Sequence, residues 1–266
     1  MWRAVFVGWG LLSGCLPADP PGFRRDAGVR PKPARAKKSG GVDAGRGAAR
    51  LRTKPSSEAT LALNAADAAV LTEEFSDDFE RALLGPDWNA TSGVWRIESG
   101  RLCGERAKNR GVWLARRLPR NARIEFVATS GSPNGDIKAE VWGDGASAAK
   151  GTSYVDATSY LVIFGGWKNS LHVLARLNEH GSNRLELRLV PGSDDPRTQP
   201  VAEGRSYRFE IERSDGHTVR FTVDDTLIHS FDDPEPLAGP GHEHFGFNDW
   251  DVPVCFDDVL VTPLPG

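Results

Sequence analysis

Tyr207-Arg208-Phe209-Glu210-Ile211-Glu212-Arg213, followed by Ser214-Asp215-Gly216 and then His217-Thr218-Val219-Arg220-Phe221-Thr222-Val223, decides the fold. Apolar and polar residues alternate in both arms, the period of a strand with one face in a core and the other in water. The Asp-Gly step between them supplies the tight turn of a hairpin. Asp224-Asp225 then turns the chain into a third strand, Thr226-Leu227-Ile228-His229-Ser230-Phe231. Outward from this meander the same period recurs at residues 94–98, 101–103, 123–127, 137–142, 171–177 and 184–189, and again at 245–247 and 254–261. Tyr160-Leu161-Val162-Ile163-Phe164 is apolar on both faces, as suits a central strand. About thirteen short strands with no long amphipathic helix predict an all-β, two-sheet antiparallel sandwich over residues 75–266.

The two ends of this domain carry further signals. Phe75-Ser76-Asp77-Asp78-Phe79, Gly85-Pro86-Asp87-Trp88, Gly93-Val94-Trp95-Arg96-Ile97 and Gly100-Arg101-Leu102 open it. Gly246-Phe247 and Val254-Cys255-Phe256-Asp257-Asp258-Val259-Leu260-Val261 close it. In order and spacing these pieces resemble the concanavalin A-like (laminin-G-like) jelly-roll domains of bacterial secreted proteins. The resemblance implies that the first and last strands pair. It implies no particular activity, because this fold hosts lectins, adhesion modules, glycanases and lyases.

At the amino terminus, Arg3 is followed by an apolar run over residues 4–12 and then by Leu12-Ser13-Gly14-Cys15. The run is too short to span a bilayer and reads as a secretory signal over residues 1–14. Its last four residues resemble the lipobox of bacterial lipoproteins, which implies cleavage before Cys15 and acylation of that cysteine. An ordinary secretory signal with a chance cysteine is the alternative. By the same analogy, Leu16 in place of Asp favours the outer membrane of the cell envelope, facing either the periplasm or the surface. Residues 1–74 hold 12 Lys+Arg against 7 Asp+Glu, so the remainder of the chain carries a net charge of -8. The stretch around Pro31-Lys32-Pro33-Ala34-Arg35-Ala36-Lys37-Lys38 is too poor in apolar residues to offset its ordering entropy. Residues 15–74 are therefore read as a lipid-anchored, disordered, basic tether, whose charge either contacts anionic surfaces or merely keeps a spacer soluble.

With Cys15 assigned to lipid, Cys103 and Cys255 make an even pair in an oxidising compartment. Cys103 falls in an early strand and Cys255 in the last. A disulfide and two buried thiols both fit this placement.

The sequence offers little catalytic machinery. It lacks the Glu-x-Asp-x-Glu strand on which family 16 glycoside hydrolases carry their carboxylates, so hydrolysis of that type is not expected. No catalytic triad, phosphate loop or nucleotide fingerprint stands out, and neither a nucleic-acid partner nor an organic cofactor is expected. Asp77, Asp78, Asp257 and Asp258 come from the presumed neighbouring end strands. They are candidates for a structural calcium, or ordinary turn residues. His242-Glu243-His244 places two imidazoles on one side of an extended chain, without an identified third metal ligand.

Sugar recognition needs aromatic faces beside planar polar groups. Strict alternation sets Glu140 and Trp142 opposite Ala139 and Val141, and sets His172 and Arg176 opposite Val173 and Ala175. Glu140, Trp142, Tyr160, His172 and Arg176 are therefore expected on one concave face. Trp167 and Asn169 in loop 165–169, and Trp250 in loop 247–251, stand at strand ends. The expected function is non-catalytic carbohydrate binding by an envelope lipoprotein. Trp142, Trp167 and Trp250 would stack on sugar rings, and Glu140, Asn169, His172 and Arg176 would bond hydroxyls. The alternatives are a glycan hydrolase or lyase of this fold, and an adhesion module that binds another envelope protein.

Overall fold

The computed structural model describes residues 68–266, so the signal, Cys15 and the body of the tether lie outside the described residues. The first strands are β1 (Phe75–Asp77), β2 (Trp88–Ala90), β3 (Arg96–Glu98), β4 (Arg101–Gly104), β5 (Val112–Leu114), β6 (Ala122–Ser130) and β7 (Ile137–Gly143). They are followed by β8 (Tyr160–Gly165), β9 (Leu171–Arg176), β10 (Leu185–Arg188), β11 (Ser206–Arg213), β12 (Thr218–Val223), β13 (Thr226–Asp232), β14 (His244–Asn248) and β15 (Val254–Pro263). One sheet runs β13-β12-β11-β6-β15-β4-β3, with β1 also paired to β15; the other runs β10-β9-β8-β7-β14-β5-β2. All pairings within them are antiparallel, and the result is a two-sheet jelly-roll sandwich.

The alternation that predicts the strands is what fills the space between the sheets. Every second residue of β6 is buried along its whole length. Phe126 of β6 stacks on Phe209 of β11 at 4.8 Å, and Phe247 of β14 stacks on Phe256 of β15 across the sandwich at 3.9 Å. A fully buried ring of this kind contributes about 1.5–3 kcal/mol.

The end strands meet as the resemblance implies, with Phe75 opposite Val261 and Asp77 opposite Val259. Cys255 lies directly opposite Cys103 on the neighbouring β4, and the two are joined in a disulfide. It closes a loop with a sequence separation of 152 residues. In the chain-entropy model a loop of that length contributes about 5 kcal/mol.

The fold has two distinct poles. Residues 117–121 precede β6, and against them lie both ends of the described chain. Val70 bridges to Arg117, Leu71 N–H donates to Arg117 O at 2.8 Å, and Leu264 N–H donates to Asn121 O at 3.0 Å. The loop 131–136 leaves β6 at the opposite pole. Nine extended residues separate the two ends by about 30 Å.

The outer face of the seven-stranded sheet is not open. Residues 144–158 fold back over it, and Ala149, Tyr154 and Ala157 pack on Leu161, Ile163, Val173 and Ala175. Both faces of β8 and β9 are therefore dry, even though β9 sets the polar His172 and Arg176 among its apolar residues.

Candidate functional site

At the pole away from the chain ends, five connections converge with the covering segment around a cleft of about 510 Å³. Lys138, the second residue of β7, forms its floor. Its ammonium lies 3.1 Å from Asn109 Oδ1, 3.6 Å from Asp136 and 3.7 Å from Glu179. Asp136 and Glu179 are buried beside it. Burial pushes the Asp136 carboxyl up; Lys138 pulls it back and Glu179 reinforces the rise. Glu179 is fixed from behind, accepting a 2.7 Å hydrogen bond from Tyr154 N–H. The floor thus offers hydroxyls both donors and acceptors.

Two tryptophans from separate turns line this floor. Trp167 sits in the β8–β9 connection, where Trp167, Lys168 and Asn169 all have left-handed backbone angles, with φ of 50°, 57° and 60°. Such conformations cost L-residues roughly 1–2 kcal/mol each, so the surrounding structure must hold them. Asn169 does much of this. Its Nδ2 donates to Pro133 O at 2.9 Å and to Val201 O at 2.7 Å, while its Oδ1 accepts from Val201 N–H at 2.9 Å. His172 adds a bond by accepting from Gly165 N–H through Nδ1 at 2.9 Å. The turn also presses against loop 131–136. A Cβ on Gly135 would come within 2.6 Å of Gly165 O, so the close approach requires glycine there. The Arg184 guanidinium lies over the Trp167 ring at 4.7 Å, and the His180 ring meets it edge-on at 5.7 Å.

Trp250 comes from the β14–β15 connection. The buried Asp249 next to it accepts from Ala107 N–H at 3.0 Å and Val252 N–H at 3.1 Å. Burial pushes the Asp249 carboxyl up to about 7 against those two bonds, with Asp136 adding to the rise. Lys108 lies over the Trp250 ring at 4.4 Å and pairs with Asp251. Its backbone N–H donates to Trp250 O at 3.0 Å. Each indole is thus backed by a cation and remains partly exposed at the cleft.

Of the eight residues predicted to bind ligand, the structure brings only Trp167 and Trp250 to the cleft lining. Asn169 lies beside it, but its amide is consumed in holding the turn. Glu140, Trp142, His172 and Arg176 do not share a face. Glu140 opposes Leu161 on the outer side, beneath the covering segment. There it accepts from Ser159 Oγ at 2.6 Å, Asn248 Nδ2 at 2.6 Å and Tyr154 OH at 3.2 Å. Burial outweighs these bonds and pushes its carboxyl up to about 7.

Trp142 is turned into the sandwich by a bulge. His244 pairs with Gly143 and Phe245 with Val141, so Trp142 is the extra residue, at φ 53°. Its indole donates to Pro119 O at 3.2 Å and lies 3.9 Å from the Arg213 guanidinium. His172 stacks on Phe164 at 3.9 Å between the sheets, where burial, helped by His229, lowers its pKa to about 3. Tyr160 and Arg176 meet at the far pole, where both donate to Asp233 Oδ2, at 2.6 and 2.8 Å.

The end-strand carboxylates do not converge. Both Asp77 oxygens are taken by Arg81 and Trp88, Asp78 caps Glu80 N–H, and Asp257 accepts from Asp258 N–H. Among the described residues, no group of three or more His, Cys, Asp or Glu is placed to hold a metal. In 242–244, His242 Nδ1 bonds Thr158 O at 2.7 Å, His244 Nδ1 bonds Leu114 O at 3.0 Å and Glu243 pairs with Arg117 at 2.7 Å.

Sequence reasoning missed the floor. Lys138 had one signal, its place beside Glu140 on the polar side of a strand whose other side is Ala139 and Val141. Asn109, Asp136 and Glu179 are single polar residues in distant loops, and nothing local marks them.

No known family model matches the chain, and no curated protein matches it in sequence. Solved structures do resemble it in fold. A sialidase superposes with a TM-score of 0.50 at 12% identity, covering 72% of this chain and 18% of the sialidase. The carbohydrate binding module CBM66 from Bacillus subtilis gives 0.48 at 16% identity, covering 66% of this chain and 95% of the module. A non-specific endo-β-1,3(4)-glucanase from family GH16 gives 0.47 at 11% identity, covering 72% and 92%. At these identities the likeness is one of fold alone.

Proposed function

We propose that this chain is a carbohydrate-binding protein, and that the cleft between Trp167 and Trp250 is where the sugar sits. One observation carries the reading. Two partly exposed indoles, delivered by separate and tightly braced turns, line a single cleft whose floor is a hydrogen-bonding array of Lys138, Asn109, Asp136 and Glu179. Pyranose rings present apolar faces to indoles and hydroxyl edges to planar polar groups, which is the pairing this cleft offers. Sugar is held without bond cleavage in this reading. The test is a glycan array probed with the full chain, repeated with Trp167→Ala and Trp250→Ala. Each substitution is expected to weaken binding at least about tenfold, or about 1.4 kcal/mol. Binding untouched by both would refute the assignment.

A second reading, glycan hydrolysis or elimination, is favoured by one feature, the pairing of Asp136 and Glu179 across one ammonium at the cleft floor. Release of reducing or unsaturated sugar that disappears in Asp136→Asn would establish it over simple binding.

The Leu12-Ser13-Gly14-Cys15 motif supports lipid anchorage in the cell envelope as part of the same proposal. Mass spectrometry of the mature amino terminus checks this directly. A mature protein that partitions into water both before and after Cys15→Ser would sink it.

A further inference from the structure

We infer that the cleft takes the terminal unit of a neutral glycan end-on, rather than an internal stretch of a polymer or an acidic chain. This rests on the sugar-binding reading above and narrows it to a ligand class.

The first ground is where the fold leaves room. An extended polysaccharide lies best along an open sheet face, but the outer faces of β8 and β9 are sealed beneath residues 144–158. Leu161, Ile163, Val173 and Ala175 are all at most 1% exposed. The cleft begins where that cover ends, bounded there by Thr152, Glu179 and His180. A ligand therefore meets a wall after entering from the pole. The volume of about 510 Å³ lies in the range of roughly 300–1,000 Å³ typical of sites for small molecules, which suits a chain end and not a run of units.

The second ground is charge. The floor sets two carboxylates, Asp136 and Glu179, against one ammonium, Lys138. Lys108, over Trp250, is already paired with Asp251. Lys168 at the rim is the one lining Lys or Arg with no ion pair among the described residues. An acidic polymer needs a row of unpaired cations, and the carboxylate floor repels it. Neutral hydroxyls suit the mixture of donors and acceptors.

The test uses the full chain and follows tryptophan fluorescence. Disaccharides and hexasaccharides of glucose, mannose, galactose, N-acetylglucosamine and fructose are titrated, together with their parent polymers and polygalacturonate. For the sugar that responds, disaccharide and hexasaccharide are expected to bind within about threefold of each other. Mild hydrolysis that multiplies the polymer's chain ends about tenfold is expected to lower its half-saturating mass concentration about tenfold. Repeating the titration with the reducing end converted to the alditol shows which terminus enters. A hexasaccharide more than about tenfold tighter than its disaccharide, or polygalacturonate outcompeting every neutral sugar, overturns the inference while leaving sugar binding standing. Silence from all of them removes the binding reading and the inference together.

Discussion

Replacing Asn169 by Ala tests whether the left-handed turn under Trp167 is held by one amide. The side chain makes three hydrogen bonds of 2.7–2.9 Å to the backbone of residues 133 and 201. At about 1 kcal/mol net for each bond, the loss comes to about 3 kcal/mol. Asn tolerates a positive φ better than Ala, and the backbone here stands at 60°, which adds roughly another 1 kcal/mol. A total of about 4 kcal/mol in a domain of this size lowers Tm by about 10 °C. Urea titration followed by far-ultraviolet circular dichroism measures the first quantity and calorimetry the second. Acrylamide quenching of Trp167 is expected to rise at the same time, because its platform loosens. Asn169→Asp keeps the acceptor for Val201 N–H but points a carboxylate at two carbonyl oxygens, so it is expected to fall no better than Ala. A variant within about 0.5 kcal/mol of the parent, with unchanged quenching, would refute the reasoning.

Lys168→Gly removes a side chain from a φ of 57° and is expected to stabilise the fold by about 0.5–1 kcal/mol, read in the same urea titration. Reduction of Cys103–Cys255, or the double replacement by Ser, is expected to cost about 5 kcal/mol, seen in either case as a urea midpoint lower than that of the oxidised parent. Glu140 and Asp249 are pushed up to about 7 from 4.5 and 3.8. The folded state therefore binds protons more tightly than the unfolded one between those values. The stabilising contribution of these two groups is expected to be complete below about pH 4, to fall as pH rises toward 7 and to level off above it, by a few kcal/mol in all. Urea midpoints at pH 5 and 8 give the sign, and a midpoint that rises over this interval would contradict it. Asp249→Asn is expected to flatten the profile.

The sheets were legible because two-residue periodicity survives wherever one face meets water, as in Tyr207–Val223. Two of the shortest strands were not: Trp88–Ala90 and Val112–Leu114 have three residues each, too few to show a period. The faces of β9 were misassigned for a different reason. Both are dry, so alternation identifies two sides without saying which one faces the sandwich. His172 fell on the inner side and Val173 on the side covered by residues 144–158. Trp142 was misplaced because a bulge shifts parity by one residue, and local sequence carries no mark of it. Trp167 and Trp250 were found because an aromatic in a Gly-, Asn- or Asp-rich turn has no core to fill.

The separation of the poles has a mechanical consequence. A ligand gripped at the cleft and a tug on the chain at residue 68 act at opposite ends of the sandwich, so the load runs parallel to the strands. Backbone bonds between strands lie across that direction and are stressed sideways as a group, instead of being unzipped one after another. The Cys103–Cys255 link, which ties β15 to β4, adds a covalent rung to the strand on which β1 pulls. Under the proposed sugar binding, a pull between ligand and residue 68 would load these strands in shear.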